Sequence, residues 1–476
     1  MSLGAKMSSD ILVTALFKTS LKVRGLVFIP ILTISLGVAD YGAYAQVTAI
    51  GTLVGLACLL GYDSGYVRHI HETDQEARLY SSLVVVAFTT SVIGALLMTG
   101  AAGFLAGYTL QATEYTVLFA IGGLYALGHS MFQLARTYYR AKRQIKFYSF
   151  IEAADVYLSV GAVATVVLLF DGTIEHALGT LVASHLLMTG LMFVDIGRRG
   201  GLGVPTTHGV KDCTRFSVGA MGNQIAGSLL YKIDRVLIGF FLGASAVGIY
   251  SAAYSVAQLI KLFYQPISIS FFPEFSELWT DEQYEDIQHY MQAGIRYAAI
   301  IGIPAVTGFT LVGEGVLNLL STPEVANTGH SVLILIGAGL LLRGIGVFYS
   351  QLFYAMGTSK VPFMITGITV VLNIALNILL IPLLGINGAA FTTVVSFGAA
   401  ALATGSLWQR YLPIRPEIGS IGRALIASGV MMLSFVFVEL PWPVVVAAAP
   451  LIYFGTFIII GGLNDREVQM LKQAVP

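Results

Sequence analysis

The sequence predicts an all-α integral membrane protein with fourteen transmembrane helices. Three observations point there. Of 476 residues, 56% are hydrophobic and only 11% charged, against about 25% charged in soluble domains. Mean hydropathy is +0.79. Apolar runs long enough to cross a bilayer recur from end to end, and Lys and Arg collect in alternate connections.

Taken in order, the expected spans lie near 12–37, 42–66, 80–106, 115–137, 147–170, 176–196, 216–242, 247–272, 292–319, 331–356, 361–383, 388–409, 419–439 and 443–463. About 20 apolar residues serve as the ruler. The connections at 38–41, 107–114, 171–175, 243–246, 320–330, 384–387 and 440–442 hold no Lys or Arg. The alternate ones carry Arg68 and Arg78; Arg140, Lys142, Arg143 and Lys146; Arg198, Arg199, Lys211 and Arg215; Lys360; Arg410 and Arg415. Lys6, Arg466 and Lys472 put both termini on that same side, which the positive-inside rule makes cytoplasmic. Lys18, Lys22 and Arg24 interrupt the first apolar run, so insertion through that helix is expected rather than a cleaved signal.

Leu36-Gly-Val-Ala-Asp-Tyr-Gly-Ala-Tyr44 and Leu242-Gly-Ala-Ser-Ala-Val-Gly-Ile-Tyr250 share Leu-Gly, Gly and Tyr at equal spacing. The first span thus corresponds to the seventh, an offset of six helices that preserves orientation. The expected plan is two parallel-repeat six-helix lobes around a central cavity, plus two C-terminal helices. Its boundaries are 1–196 for the N-terminal lobe, 197–215 for a cytoplasmic linker, 216–410 for the C-terminal lobe, and 411–476 for the accessory helices and tail.

The seventh and eighth spans carry charge at depth, in Lys232, Asp234, Arg235 and Lys261. A charge at a helix centre costs about 2.5–3.5 kcal/mol on insertion scales, so such residues mark a water-filled path, a polar partner or a binding site. At 100° per residue, Gln224, Ser228, Tyr231, Lys232 and Arg235 share one third of the seventh helix, whereas Asn223 and Asp234 point elsewhere. Tyr250, Tyr254, Gln258, Lys261, Gln265 and Ser268 stripe the eighth. Two such stripes suit a cavity for a large, polar, anionic solute. Arg24 in the first helix, bent by Pro30, and Arg343 in the tenth add candidate cations.

Structural readings stand beside these. Lys18 and Lys22 read as snorkelling anchors, Arg24 as a cavity cation or a structural ion-pair partner, Arg343 as a cavity cation or a helix-packing partner, and Asp234 as a fixed salt bridge or a coupling group. Glu152 and Asp155 with His129 and His185 are ion-coupling candidates or a polar cluster tying helices. Asn373 and Asn377 read as interhelical hydrogen-bonding groups. Thr280-Asp-Glu-Gln283 suggests a capping box before an interfacial helix. Cys58 and Cys213 form no disulfide or metal framework.

Asp234-Arg-x-x-Ile-Gly-x-Phe-Leu-Gly243, Val247-Gly-x-Tyr-x-x-Ala253 and Phe272-Pro-Glu274 resemble the seventh and eighth helices of Wzx-type oligosaccharide flippases. These are polysaccharide biosynthesis proteins of the multidrug/oligosaccharidyl-lipid/polysaccharide exporter superfamily. Tyr354-Ala-Met-Gly-Thr-Ser-Lys360, Leu372-Asn-Ile-Ala-Leu-Asn377, Leu380-Ile-Pro382 and Leu384-Gly-Ile-Asn-Gly-Ala-Ala390 extend the likeness. The resemblance implies translocation of a polyprenyl-linked oligosaccharide to the outer leaflet of the cytoplasmic membrane, for lipopolysaccharide or other surface glycans. Cations would hold the lipid phosphate or pyrophosphate and the polar side chains the sugar. Implied partners are that substrate, membrane lipids, a coupling proton or sodium ion and glycan-assembly proteins, with no nucleic acid. A lipid II or drug exporter of the superfamily stays open, as does a scaffold role. A membrane glycan polymerase or glycosyltransferase is disfavoured by the short external connections and by the lack of a catalytic, metal or cofactor motif.

Overall fold

The computed structural model describes residues 23–207, 209–413, 417–436, 438 and 440–463. Apolar runs in a bilayer must satisfy every backbone hydrogen bond internally, and the described chain does so with helices. They are α1 (Val23–Ser35), α2 (Val38–Leu59), α3 (Tyr62–His69), α4 (Glu76–Gly100), α5 (Ala102–Leu110), α6 (Thr116–Ala141), α7 (Ile145–Leu169), α8 (Ile174–Arg198) and α9 (Val210–Leu242). After these come α10 (Ala244–Ala257), α11 (Lys261–Thr280), α12 (Tyr284–Leu320), α13 (Pro323–Ala355), α14 (Lys360–Leu384), α15 (Ile386–Trp408), α16 (Ile418–Val436) and α17 (Trp442–Ile459). Among the described residues twelve helical stretches are long and apolar enough to span a membrane. The shorter α1 and the charge-bearing α9 occupy the places of the first and seventh expected spans. This is a multi-pass membrane protein.

Several spans differ from the uniform helices expected. The second breaks where Leu60 (φ 54°) and Gly61 (φ 71°) turn left-handed, so α2 and α3 are separate rods. A Cβ at Gly61 would collide with the Ser217 carbonyl of α9, so the glycine is needed for the approach as well as for the turn. The third span is offset at Ala101. The eighth runs from α10 through a 3₁₀ turn at Gln258–Ile260 into α11, beyond the expected end at residue 272. The capping box is not formed: Thr280 is the last residue of α11 and its hydroxyl donates back to the Ser276 carbonyl, 2.8 Å. Residues 284–291 open the ninth span rather than forming a separate interfacial helix. Residues 12–22 of the first expected span, with Lys18 and Lys22, lie outside the described residues, as do Arg415, Arg466 and Lys472.

The chain divides into two compact units, 1–251 with 377–385, and 252–376 with 386–476. In the first unit α6 packs on α2, α4 and α8, α7 on α1 and α8, and α9 on α2, α3 and α5. Its core gathers Tyr62, Tyr66, Tyr80, Leu134 and Tyr139. The segment 201–207 lies extended along α4, where the Gly203 and Thr206 amides donate to Ser81 Oγ (2.9 Å) and Ser82 Oγ (2.8 Å). Helix already resumes at Val210, so only part of the 197–215 stretch is non-helical.

The repeat is visible in the backbone. Gly37 and Gly243, equivalent positions, both take positive φ (104° and 82°) at the α1–α2 and α9–α10 turns. Gly42 and Gly248, also equivalent, sit where α2 and α10 cross: a Cβ at Gly42 would strike the Ala244 carbonyl, and one at Gly248 the Val38 carbonyl. Only residues without a side chain permit that mutual approach.

In the second unit α13 packs on α11, α12 and α15, and α12 also carries α16 and α17. Tyr453 Oη donates to the Ile300 carbonyl (2.7 Å), and Trp408 Nε1 to the Tyr349 carbonyl (2.9 Å), so each buried aromatic satisfies its polar atom. Arg296, buried, reaches the Gly462 carbonyl (2.9 Å) and Glu417 (3.4 Å).

Candidate functional site

Within the first unit a cavity of ≈ 320 Å³ is walled by α1, α2, α6, α9 and α10. Lys232 and Arg235, three residues apart on α9, line it together, as the helical period requires of neighbours on one face. From α2 come Tyr41, Tyr44 and Thr48, from α6 Tyr125, from α10 Ser251, and from α1 Gly25 and Phe28. Phe28 stacks on Tyr44 with ring centroids 5.8 Å apart. Lys232 Nζ lies 3.4 Å from Thr52 Oγ1, and Arg235 Nε donates to Ser251 Oγ at 3.0 Å. Lys232 is ten residues from the α9 terminus at Leu242, roughly 15 Å along the axis. Two cations and several hydroxyls at that depth offer the charge-assisted hydrogen bonds that an anion can accept.

Asp234 points away from this cavity. It is buried and accepts hydrogen bonds from Tyr250 Oη and Asn377 Nδ2, each 2.8 Å. Asn377 thus does serve as an interhelical hydrogen-bonding group, from α14 to α9.

The other expected residues are distributed as follows. Gln224 lies outside the cavity and donates to both carboxylate oxygens of Asp63 (2.9 and 3.0 Å) and to Ser64 Oγ (3.1 Å), joining α9 to α3. Ser228 and Tyr231 are half-buried on α9 and do not line the cavity. Arg24 stands on α1, but its side chain lies outside the described residues. In the second unit Lys261 is buried and donates to Gln258 Oε1 (3.3 Å), Tyr254 is buried, Gln265 is exposed, and Arg343 lies over the Phe397 ring, 6.0 Å from its centroid. Glu152 pairs with Arg136 at 2.8 Å, Asp155 lies 3.4 Å from His185, and His129 stacks on Tyr125 at 5.8 Å.

The uncharged wall was the part that charge-based reasoning missed. Tyr41, Tyr44, Thr48 and Thr52 recur at spacings of three and four along α2, the signature of one helical face. That stripe of hydroxyls was legible, but no charge drew attention to it.

The model of the polysaccharide biosynthesis protein family matches residues 8–279. The chain belongs to that family. A MatE model also matches residues 220–379. The chain is similar to the probable flippase AglR of Haloferax volcanii, 24% identical over 404 residues, covering 83% of this chain and 82% of the relative. It is also similar to the probable low-salt glycan biosynthesis flippase Agl15 of the same organism, 25% identical over 227 residues, or 48% of each chain. Among solved structures, lipid II flippase MurJ in an inward closed conformation superposes with a TM-score of 0.81 at 14% identity, over 94% of this chain and 98% of that one. That likeness identifies the fold as the one this family shares with MurJ.

Proposed function

We propose that this protein translocates a polyprenyl-phosphate- or pyrophosphate-linked oligosaccharide from the cytoplasmic to the outer leaflet of the cytoplasmic membrane. The observation that carries this is the convergence of Lys232 and Arg235 on one polar cavity at mid-span depth. It is supported by one relative named as a probable flippase and another named as a probable low-salt glycan biosynthesis flippase. An anionic head group between these cations forms charge-assisted hydrogen bonds in a poorly solvated site, where each is worth about 1.5–3 kcal/mol. Tyr41, Tyr44, Thr48 and Ser251 offer hydroxyls to sugar or phosphate oxygens.

In this proposal the lobes 1–196 and 216–410, joined by 197–215 and flanked by 411–476, rock to alternate access, with both termini cytoplasmic. Arg24, Lys261 and Arg343 are further head-group cations. Gln224, Ser228, Tyr231, Tyr254, Gln258 and Gln265 are sugar contacts exposed along the cycle. Movement of a proton or sodium ion drives it, with Asp234, Glu152, Asp155 and His129 as the groups that can carry charge. The protein supplies no bond-making step. The fold shared with MurJ also suits lipid II as cargo, since its pyrophosphate would meet the same cations.

The test is reconstitution into liposomes with a fluorescent polyprenyl-pyrophosphate oligosaccharide added to one leaflet. Lys261→Ala should lower the flipping rate by roughly 10- to 100-fold with insertion and thermal stability retained. Wild-type rates in that variant would remove Lys261 from the proposed head-group cations, and a wild-type protein that moves no lipid-linked glycan would sink the function. Running lipid II beside the glycan decides between the two cargoes.

A further inference from the structure

Two ionisable groups of the first unit are buried together just behind the cavity wall. Asp155 Oδ1 on α7 lies 3.4 Å from His185 Nδ1 on α8, and the residues are 3% and 4% exposed. Asp155 is ten residues from the start of α7 and His185 eleven from the start of α8. At 1.5 Å per residue both lie roughly 15 Å from a helix end, at about the depth of Lys232. In such surroundings a lone charge is costly, so a carboxylate and an imidazole in contact form a unit that exchanges one proton, its net charge moving between −1 and 0.

Tyr125 connects this unit to the cavity. Its ring centroid is 5.9 Å from that of His185, and the same residue lines the cavity that holds Lys232 and Arg235. The geometry points to a proton-binding site at Asp155 and His185, set behind Tyr125, whose occupancy governs how strongly Lys232 and Arg235 hold an anionic phosphate. This assignment rests on the anionic cargo proposed above.

The electrostatics follow from charge alone. With His185 neutral, the Asp155 carboxylate competes with the phosphate for the field of the two cations. A proton taken from water onto the imidazole forms an imidazolium–carboxylate pair of zero net charge, and the cations act on the phosphate alone. No covalent bond other than N–H is made or broken. Unit charges on the order of 10 Å apart, at an effective dielectric of 20, change affinity by on the order of tenfold. Phosphate affinity is therefore highest below the titration of the pair and falls as pH rises through it. By reciprocity, bound phosphate favours the proton.

Charged groups elsewhere on the packed elements have partners of their own. On α6 and α7, Arg136 and Glu152 neutralise each other at 2.8 Å. Farther along α8, Asp195 accepts from Tyr139 (2.8 Å) and Arg199 (2.7 Å). On α2, Asp40 accepts from Tyr115 at 2.9 Å, and Tyr41 and Tyr44 face the cavity. On α1, Arg24 has its side chain outside the described residues. His129 stacks on Tyr125, and His176, at the start of α8 and accepting from the Thr173 amide at 3.2 Å, provides the control.

The experiment measures binding of a glycan-free polyprenyl pyrophosphate to the full chain in lipid nanodiscs from pH 5.5 to 8.5, with nitrogen-15 histidine spectra of the same samples without ligand. The wild type should bind on the order of tenfold more tightly at the acid end, with a His185 signal that titrates in that window. Asp155→Asn and His185→Gln should lose the acid-side gain and keep only the pH dependence of the pyrophosphate itself, whereas Asp155→Glu and His176→Gln should keep the wild-type slope. A wild-type slope in Asp155→Asn, or a His185 signal that does not move, overturns the proton site and leaves translocation standing. A wild type that binds no pyrophosphate lipid at any pH, while His185 still titrates, overturns the anionic cargo and the linkage with it.

Discussion

The cavity of the first unit and a second one, of ≈ 420 Å³ in the other unit, differ in what lines them. The first brings Lys232, Arg235, tyrosines, a threonine and a serine to one space. The second is bounded by Phe263 of α11, Ile301, Pro304 and Leu311 of α12, Met431 of α16, and Val445, Ala449 and Tyr453 of α17. Tyr453, the one hydroxyl among these, is turned to the Ile300 carbonyl. An apolar space in a membrane helix bundle makes no demand for a partner, because its walls lose nothing on meeting hydrocarbon. A space lined by two cations and several hydroxyls suits water or an anion better than hydrocarbon. Volume alone therefore says little about function, and the chemistry of the wall decides what each cavity can hold.

Reversing charge in the polar cavity tests the contrast most strongly. Lys232→Glu combined with Arg235→Glu should lower flipping of the lipid-linked glycan by more than about 100-fold, through lost cation–phosphate contacts, in protein that still inserts and folds. A variant that still flips at the wild-type rate would break the comparison.

The reciprocal change belongs in the apolar cavity. Ala449→Asp places a carboxylate on a wall without a donor and should cost about 2–4 kcal/mol of stability, read as an earlier thermal unfolding transition in detergent. If that variant unfolds where the wild type does, the apolar character assigned to this wall is wrong. The smallest effect is expected for Thr52→Val, which removes a contact to Lys232 that is already 3.4 Å long. Binding of a polyprenyl pyrophosphate should weaken by less than about threefold. A loss above tenfold would mean that Thr52 orients Lys232 rather than merely touching it.

Much of the fold was legible residue by residue. The spans at 147–170, 361–383 and 388–409 fall within two or three residues of α7, α14 and α15, because bilayer thickness and hydrophobicity act locally on each run. The breaks at Leu60–Gly61 and Ala101 were not legible in this way, since an apolar run reads the same whether its helix is continuous or offset. Of the site, the common face of Lys232 and Arg235 and the divergence of Asp234 followed from the 100° period. Gln224 shares that face in projection, yet Asp63 of α3 takes its amide before it can reach the cavity.

What the sequence determined by itself was the order of the spans, the repeat marked by Gly37 and Gly243, and the separate faces of α9 that carry Lys232 with Arg235 and Asp234. These depend on burial and period, properties that a single helix carries. Only the tertiary structure decided the partners: Thr52 and Ser251 for the two cations, Tyr250 and Asn377 for Asp234, and His185 for Asp155. A helical period gives a side chain its bearing but not its neighbour, and that neighbour is set by how the helices pack, which no single span encodes.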